Sequence, residues 1–186
     1  MKQLLVLSVI FLLLNSCTKD SDSKEEMPLF SFLSQSGTSI DTIRNGAVIW
    51  EYGFRFKPLK AGKITKLGIK VPAINTFKVK LYNLTTQTII AQTSIQSTKE
   101  GGEFFGDIAD VNVTSGADLG VAIVADVFFK VRNLNGDAFS FPITKDNLSI
   151  ISFNEEICGP NGCNAFPGTT NGTVIAPCVN IVFVKD

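Results

Sequence analysis

Among its 186 residues the chain has no histidine, and that absence narrows its chemistry at once. Imidazole is the commonest general base and metal ligand, so serine or cysteine triads that depend on it are excluded. Hydrolysis would fall to a carboxylate pair. Glu51, Glu103, Asp107, Asp110 and Asp126 lie in or near strand-like segments, but no spacing sets two of them apart as acid and base. They are expected to be ordinary exposed carboxylates on strand faces, and no enzyme activity is expected. The remaining reactive groups are four cysteines, Cys17, Cys158, Cys163 and Cys178. The last three would supply three thiolates without a histidine to complete a tetrahedral zinc site, so neither a metal nor any other cofactor is expected.

Cys17 sits where the chain changes character. Met1, Lys2 and Gln3 precede an apolar run from Leu4 to Leu14 broken only by Ser8. As a helix those eleven residues reach about 16 Å against a bilayer core of about 30 Å, which suits a signal-peptide core and not a membrane span. Leu14-Asn15-Ser16-Cys17 resembles a bacterial lipobox. The resemblance implies a diacylglyceryl thioether on Cys17, cleavage of residues 1–16, and a mature chain that begins at Cys17 and is held by two or three acyl chains, where one alone would bind only marginally. Residues 17–29 read as a flexible acidic tether carrying Asp20, Asp22, Glu25 and Glu26. Thr18 after the cysteine resembles lipoproteins destined for an outer membrane, and Lys24-Glu25-Glu26 resembles the acidic surface-export signals of Bacteroidota lipoproteins. The expected location is the outer membrane, on its periplasmic face or at the cell surface.

An exported setting changes the meaning of Cys158-Gly159-Pro160-Asn161-Gly162-Cys163. Proline fixes φ, and asparagine and glycine tolerate the positive φ of a tight turn, so the chain folds back and brings two thiols together in an oxidising compartment. A Cys158–Cys163 disulfide is expected, with Cys178 as the alternative partner. The closed loop is small and stabilises by only about 2 kcal/mol, so its main effect is to shape a long connection running to Thr173.

From Phe30 onward the hydrophobic period is two. Trp50, Tyr52, Phe54 and Phe56 share one parity against Glu51, Gly53, Arg55 and Lys57, as a strand with one buried face requires. Leu67, Ile69 and Val71 alternate in the same way, as do Phe77, Val79 and Leu81. Further strand-like runs cover residues 88–96, 103–113, 119–131, 138–143, 148–153 and 174–184. Leu119 to Phe129 is apolar on both parities apart from Gly120 and Asp126, which places it centrally with both faces covered. No stretch shows sustained helical spacing with caps. The fold class expected is all-β: a two-sheet antiparallel β-sandwich, jelly-roll-like, occupying residues 30–186 as a single domain.

Tyr52-Gly53-Phe54-Arg55-Phe56, the stretch Gly62 to Gly68, Lys80-Leu81-Tyr82-Asn83 and Ile90-Ala91-Gln92-Thr93 together resemble a bacterial family of β-sandwich domains of unknown function. Its early strands carry Gly-x-x-Phe, Ile-Thr-x-Leu, Leu-Tyr-Asn and Leu-Ala-x-Thr patterns. The resemblance covers residues 48–131. It implies the sandwich, and a setting beside glycoside hydrolases or on cell-surface proteins, more than it implies a ligand.

Charge narrows the partners further. Removing residues 1–16 takes away Lys2 and no acid, so the 17 basic residues become 16 against 17 acidic ones, and no basic patch points to nucleic acid. Two function classes follow: a membrane-anchored, non-catalytic binding module for a glycan or another extracellular ligand, or an assembly lipoprotein whose partner is another envelope protein. For the first, Tyr82 is the expected platform. It lies on the parity opposite Phe77, Val79 and Leu81, beside Lys78 and Lys80, so its ring faces solvent or a second layer, where it would stack on a pyranose while lysines donate to hydroxyls. Trp50, the single tryptophan, is the other aromatic candidate, although its parity assigns it to the core.

Overall fold

The structure, a computed structural model, describes residues 24–28 and 37–186. Residues 1–23, on which the expected signal peptide, the lipidation at Cys17 and most of the expected tether fall, and residues 29–36 lie outside the described residues. Among the described residues there is no helix, and the chain forms thirteen strands. They are β1 (Glu25–Glu26), β2 (Thr38–Arg44), β3 (Ile49–Pro58), β4 (Gly62–Lys70), β5 (Asn75–Asn83), β6 (Thr88–Ser97) and β7 (Glu103–Val113). The series continues with β8 (Leu119–Ala125), β9 (Val127–Asn133), β10 (Ile143–Lys145), β11 (Leu148–Cys158), β12 (Thr169–Thr170) and β13 (Val179–Lys185).

Two antiparallel sheets pack face to face as a β-sandwich. The smaller runs β1-β13-β4-β7; the larger runs β10-β11-β3-β8-β5-β6 with β12 on β11. Tyr52, Phe54 and Phe56 from β3, Val79 and Leu81 from β5, and Val121 and Ile123 from β8 face Ile64, Leu67 and Ile69 from β4 and Ile181 and Phe183 from β13 in one core. Their alternation in sequence is what a strand covered on one face needs. The exception is β4, where Ile64 and Leu67 are both buried although they differ in parity. A bulge between Ile64 and Lys66, seen in the pairing with β7, supplies the extra residue that turns both side chains inward.

The central apolar run is β8, with all seven residues buried. The expectation of one strand over 119–131 is corrected, because the run breaks at Asp126 and β9 leaves the sheet to pair with β2 as a separate two-stranded sheet. Two hydrogen bonds fix the break: the Asn45 N–H donates to the Asp126 carbonyl at 2.7 Å, and the buried Tyr52 hydroxyl donates to the Val127 carbonyl at 2.7 Å. Other boundaries move as well. Residues 138–142, expected as part of a strand, are irregular and only Ile143–Lys145 pairs. β11 extends to Cys158. The last strand starts at Val179, not at residue 174.

Within the span read as tether, Glu25 and Glu26 pair with Val184 and Phe183. The Glu26 carboxylate accepts hydrogen bonds from the Asn147 backbone N–H at 2.9 Å and from its side-chain Nδ2. The chain is therefore already part of the sandwich at Glu25.

Candidate binding site on the outer sheet face

The outer face of the larger sheet carries the side chains that the sequence assigns to the wet parity. Small residues dominate its middle: Gly53 on β3, and Gly120 and Ala122 on β8, which pairs with both β3 and β5. Long side chains from the flanking strands lie across this low floor. Lys80 Nζ donates to Glu51 Oε2 at 2.9 Å, and the Tyr82 hydroxyl makes a short hydrogen bond to Glu51 Oε1. Glu51 is 0 % exposed, Lys80 3 % and Tyr82 1 %. An ion pair is buried on what sequence alone reads as the solvent side.

The Cys158–Cys163 segment covers it. The two sulfurs stand at disulfide distance with Cα atoms 5.2 Å apart, and Cys178 is free and buried. The Cys163 backbone N–H donates to Glu51 Oε2 at 2.7 Å, while its carbonyl accepts from Lys80 Nζ at 2.9 Å. Gly162, at φ +79°, presses on the pair so closely that an added Cβ would stand 2.4 Å from Glu51 Oε2 and 2.5 Å from Lys80 Nζ. Only glycine fits that contact and that conformation. The loop adds a donor to the carboxylate and an acceptor to the ammonium, and such added hydrogen bonds offset part of the cost of burying both. Glu51 and the two cysteine sulfurs lie within 4.8 Å of one another. The sulfurs are bonded to each other and Lys80 already holds the carboxylate, so the group is an ion pair under a disulfide and not a ligand set.

The expected platform residues are distributed accordingly. Tyr82 faces a second layer, not solvent: its ring meets Phe166 edge-on with centroids 5.5 Å apart, and burial, then the hydrogen bond to Glu51, pushes its pKa up. Lys80 is taken up by the ion pair, Lys78 is half-buried, and Trp50 packs against the core on the opposite face. Lys80 and Tyr82 are brought together, but neither presents a free surface. Glu51, expected as an exposed carboxylate, is the most enclosed member of the cluster because the loop closes over it. Of the other carboxylates, Glu103 pairs with Lys70 at 2.9 Å and Asp110 with Lys63 at 2.7 Å, each at the surface.

Where the loop leaves the sheet, its far end walls an open cleft of about 360 Å³. One wall is Phe166, half-buried, whose ring occupies the space above Gly120; a Cβ there would stand 2.6 Å from the ring. The lining also includes Arg55 from β3, the register partner of Gly120, held by Asp118 through Nε to Oδ1 at 2.7 Å and through Nη2 to Oδ2. Hydrogen bonding to Asp118 raises the guanidinium pKa further. Ser152, Asn154 and Gln87 complete the polar lining. Asn154 Nδ2 donates to the Pro167 carbonyl at 3.1 Å, and the Gly168 N–H donates to Glu156 at 3.1 Å, so this end of the loop is fastened too. Two of the five guanidinium N–H groups are used by Asp118. The cleft therefore offers adjacent donors and acceptors beside an aromatic ring, with the charge of the pair already neutralised.

A larger depression of about 600 Å³ lies at Asn133, Asn135, Asp137 and Phe139. Its polar groups are spent on their own turn: Asn135 Nδ2 donates to Asp137 Oδ2 at 2.6 Å and Asn133 Nδ2 to the Asp137 carbonyl at 2.9 Å. Gly136 has φ +79°, so the Asn-Gly-Asp sequence is the turn its composition suggests.

Sequence reasoning did not single out Arg55, Asp118 or Phe166. Arg55 and Asp118 are 63 positions apart, and Phe166 sits in the connection expected to have no structure of its own; the one available signal was the polar parity of Arg55. No protein-family model matches the chain, and no curated protein matches it.

Proposed function

We propose that this protein is an exported, lipid-anchored, non-catalytic binding module that holds a neutral sugar residue of an extracellular glycan in the Arg55–Asp118–Phe166 cleft. One observation carries the reading: a guanidinium–carboxylate pair, neutral as a unit, stands beside an aromatic ring in an open cleft. Sugar hydroxyls both donate and accept, so they match the pair, and the apolar face of a pyranose matches the ring. The pair carries no net charge, so it offers an acidic sugar no advantage over a neutral one. The resemblance of Leu14-Asn15-Ser16-Cys17 to a lipobox and the resemblance to surface-associated sandwich domains support the same setting.

Affinity electrophoresis tests it, with β-glucan, xylan and mannan as neutral probes and polygalacturonate as the acidic one. Retardation by a neutral polymer, weakened at least tenfold but still measurable in Phe166→Ala, is the expected result. Retardation by none of them, or by polygalacturonate alone, would overturn it.

A second reading rests on β6. Among the described residues it pairs only with β5, and none of its ten residues is charged. Long edge strands usually carry charge or proline that blocks further pairing, and an uncharged edge suits strand addition by an envelope protein. The Thr93 side chain packs against Gly106 of β7, so the variant is made at the exposed Ser94: if no glycan is retained, co-purification of an envelope protein that is lost in Ser94→Lys would establish this reading instead.

A further inference from the structure

We infer that the Cys158–Cys163 loop and the Glu51–Lys80–Tyr82 cluster beneath it form a positioning device for the cleft, setting its affinity through Phe166 without touching the ligand. The inference rests on the binding function proposed above.

The geometry forms a continuous chain. The disulfide closes the loop; Glu51 and Lys80 fasten its Cys163 peptide from both sides, N–H to carboxylate and carbonyl to ammonium. Tyr82, held at its hydroxyl by the same carboxylate, presents its ring to Phe166. From there the chain is tied at Pro167 and Gly168. Phe166 is therefore supported from below by Gly120 and Tyr82 and bracketed at both ends by hydrogen bonds. None of Glu51, Lys80 or the cysteines lines the cleft. An aromatic wall fixed before binding costs no ordering entropy when a sugar arrives, whereas a wall on a free ten-residue connection would pay it on every encounter. The bridge is half-buried, so a small dithiol reaches it. Exchange with dithiothreitol transfers two electrons and two protons to the protein, leaving two cysteine thiols and the oxidised cyclic dithiol.

The test compares oxidised and dithiothreitol-reduced protein against the neutral polymer that retards it best. Reduction, or Glu51→Gln, is expected to weaken retention at least tenfold in the native chain and to have no further effect in Phe166→Ala, because the coupling runs through that ring. Equal losses in both backgrounds would mean a merely structural role and would overturn the inference. Hydrogen exchange gives a readout that needs no ligand and does not depend on Glu51→Gln folding. On reduction the amides of Cys163 and Gly168 are expected to exchange at least tenfold faster while those of β3 and β8 keep their protection. Unchanged protection at Cys163 and Gly168 would overturn the device even if a glycan binds. If no polymer is retained while these amides are released, the binding function fails and the loop device stands as a feature of the fold.

Discussion

Replacing Lys80 with methionine removes the cation from a carboxylate that is 0 % exposed and leaves the Cys163 carbonyl without its side-chain donor. Glu51 keeps two partners, the Cys163 N–H and the Tyr82 hydroxyl, so its charge is hydrogen-bonded but uncompensated. Removing one partner of a buried ion pair costs about 3–5 kcal/mol, a large share of a total stability of about 5–15 kcal/mol. For a domain of this size each kcal/mol moves Tm by about 2–4 °C. The expected drop in Lys80→Met is therefore roughly 6–20 °C. The assay is thermal unfolding followed by circular dichroism at neutral pH, on protein expressed without residues 1–17, which removes the apolar segment and the proposed anchor. The double variant Lys80→Met/Glu51→Gln is expected to recover about 1–3 kcal/mol relative to the sum of the single changes, since it no longer buries a lone charge. A Lys80→Met loss below about 1 kcal/mol, or strict additivity in the cycle, would refute the argument that this pair is desolvated and mutually dependent.

Three further outcomes are expected. Metabolic labelling with a tagged fatty acid should mark the native protein and be lost in Cys17→Ser; absence of label on the native protein would reject lipidation. Gly162→Ala, at φ +79° and with no room for a Cβ, should destabilise by at least about 1–2 kcal/mol in thermal unfolding, and a neutral effect would show that the loop does not rest on the ion pair. Alkaline pH should unfold the protein cooperatively. Burial pushes the Cys178 thiol from 9.0 up to about 12 and raises both tyrosines, Tyr52 and Tyr82, above 10.0, so the unfolded chain releases these protons first. The Cys178 contribution is intact below pH 9 and is lost as pH rises toward about 12, while that of the two tyrosines is intact below pH 10 and declines above it. Tyrosinate absorbance should thus appear together with loss of structure, whereas ionisation near pH 10 in the folded protein would contradict the burial.

Sheet membership was largely legible because it is written in nearest neighbours. The two-residue alternation in β3 and β5 separates core from outer face without reference to the rest of the chain, and a covered strand such as β8 announces itself by apolar residues on both parities. Boundaries were less legible where a distant group ends an element. The break at Asp126 depends on Asn45 and on the Tyr52 hydroxyl, and nothing within 119–131 encodes them.

The sequence by itself determined that strands dominate, that Tyr82 and Lys80 turn away from the core, and that Cys158 and Cys163 are close enough along the chain to close a tight loop. Those properties follow from backbone geometry over two to six residues. Only the tertiary structure decided what the outward side chains meet. Glu51 has the parity of a solvated carboxylate and Tyr82 that of an exposed ring, yet both are enclosed. The reason is that a loop more than a hundred positions from Glu51 returns to satisfy its hydrogen bonds, over a floor that Gly53, Gly120 and Ala122 keep low. Arg55, Asp118 and Phe166 meet for the same cause: strand pairing sets their neighbours, and no local pattern in the chain specifies which distant strand or loop will lie alongside.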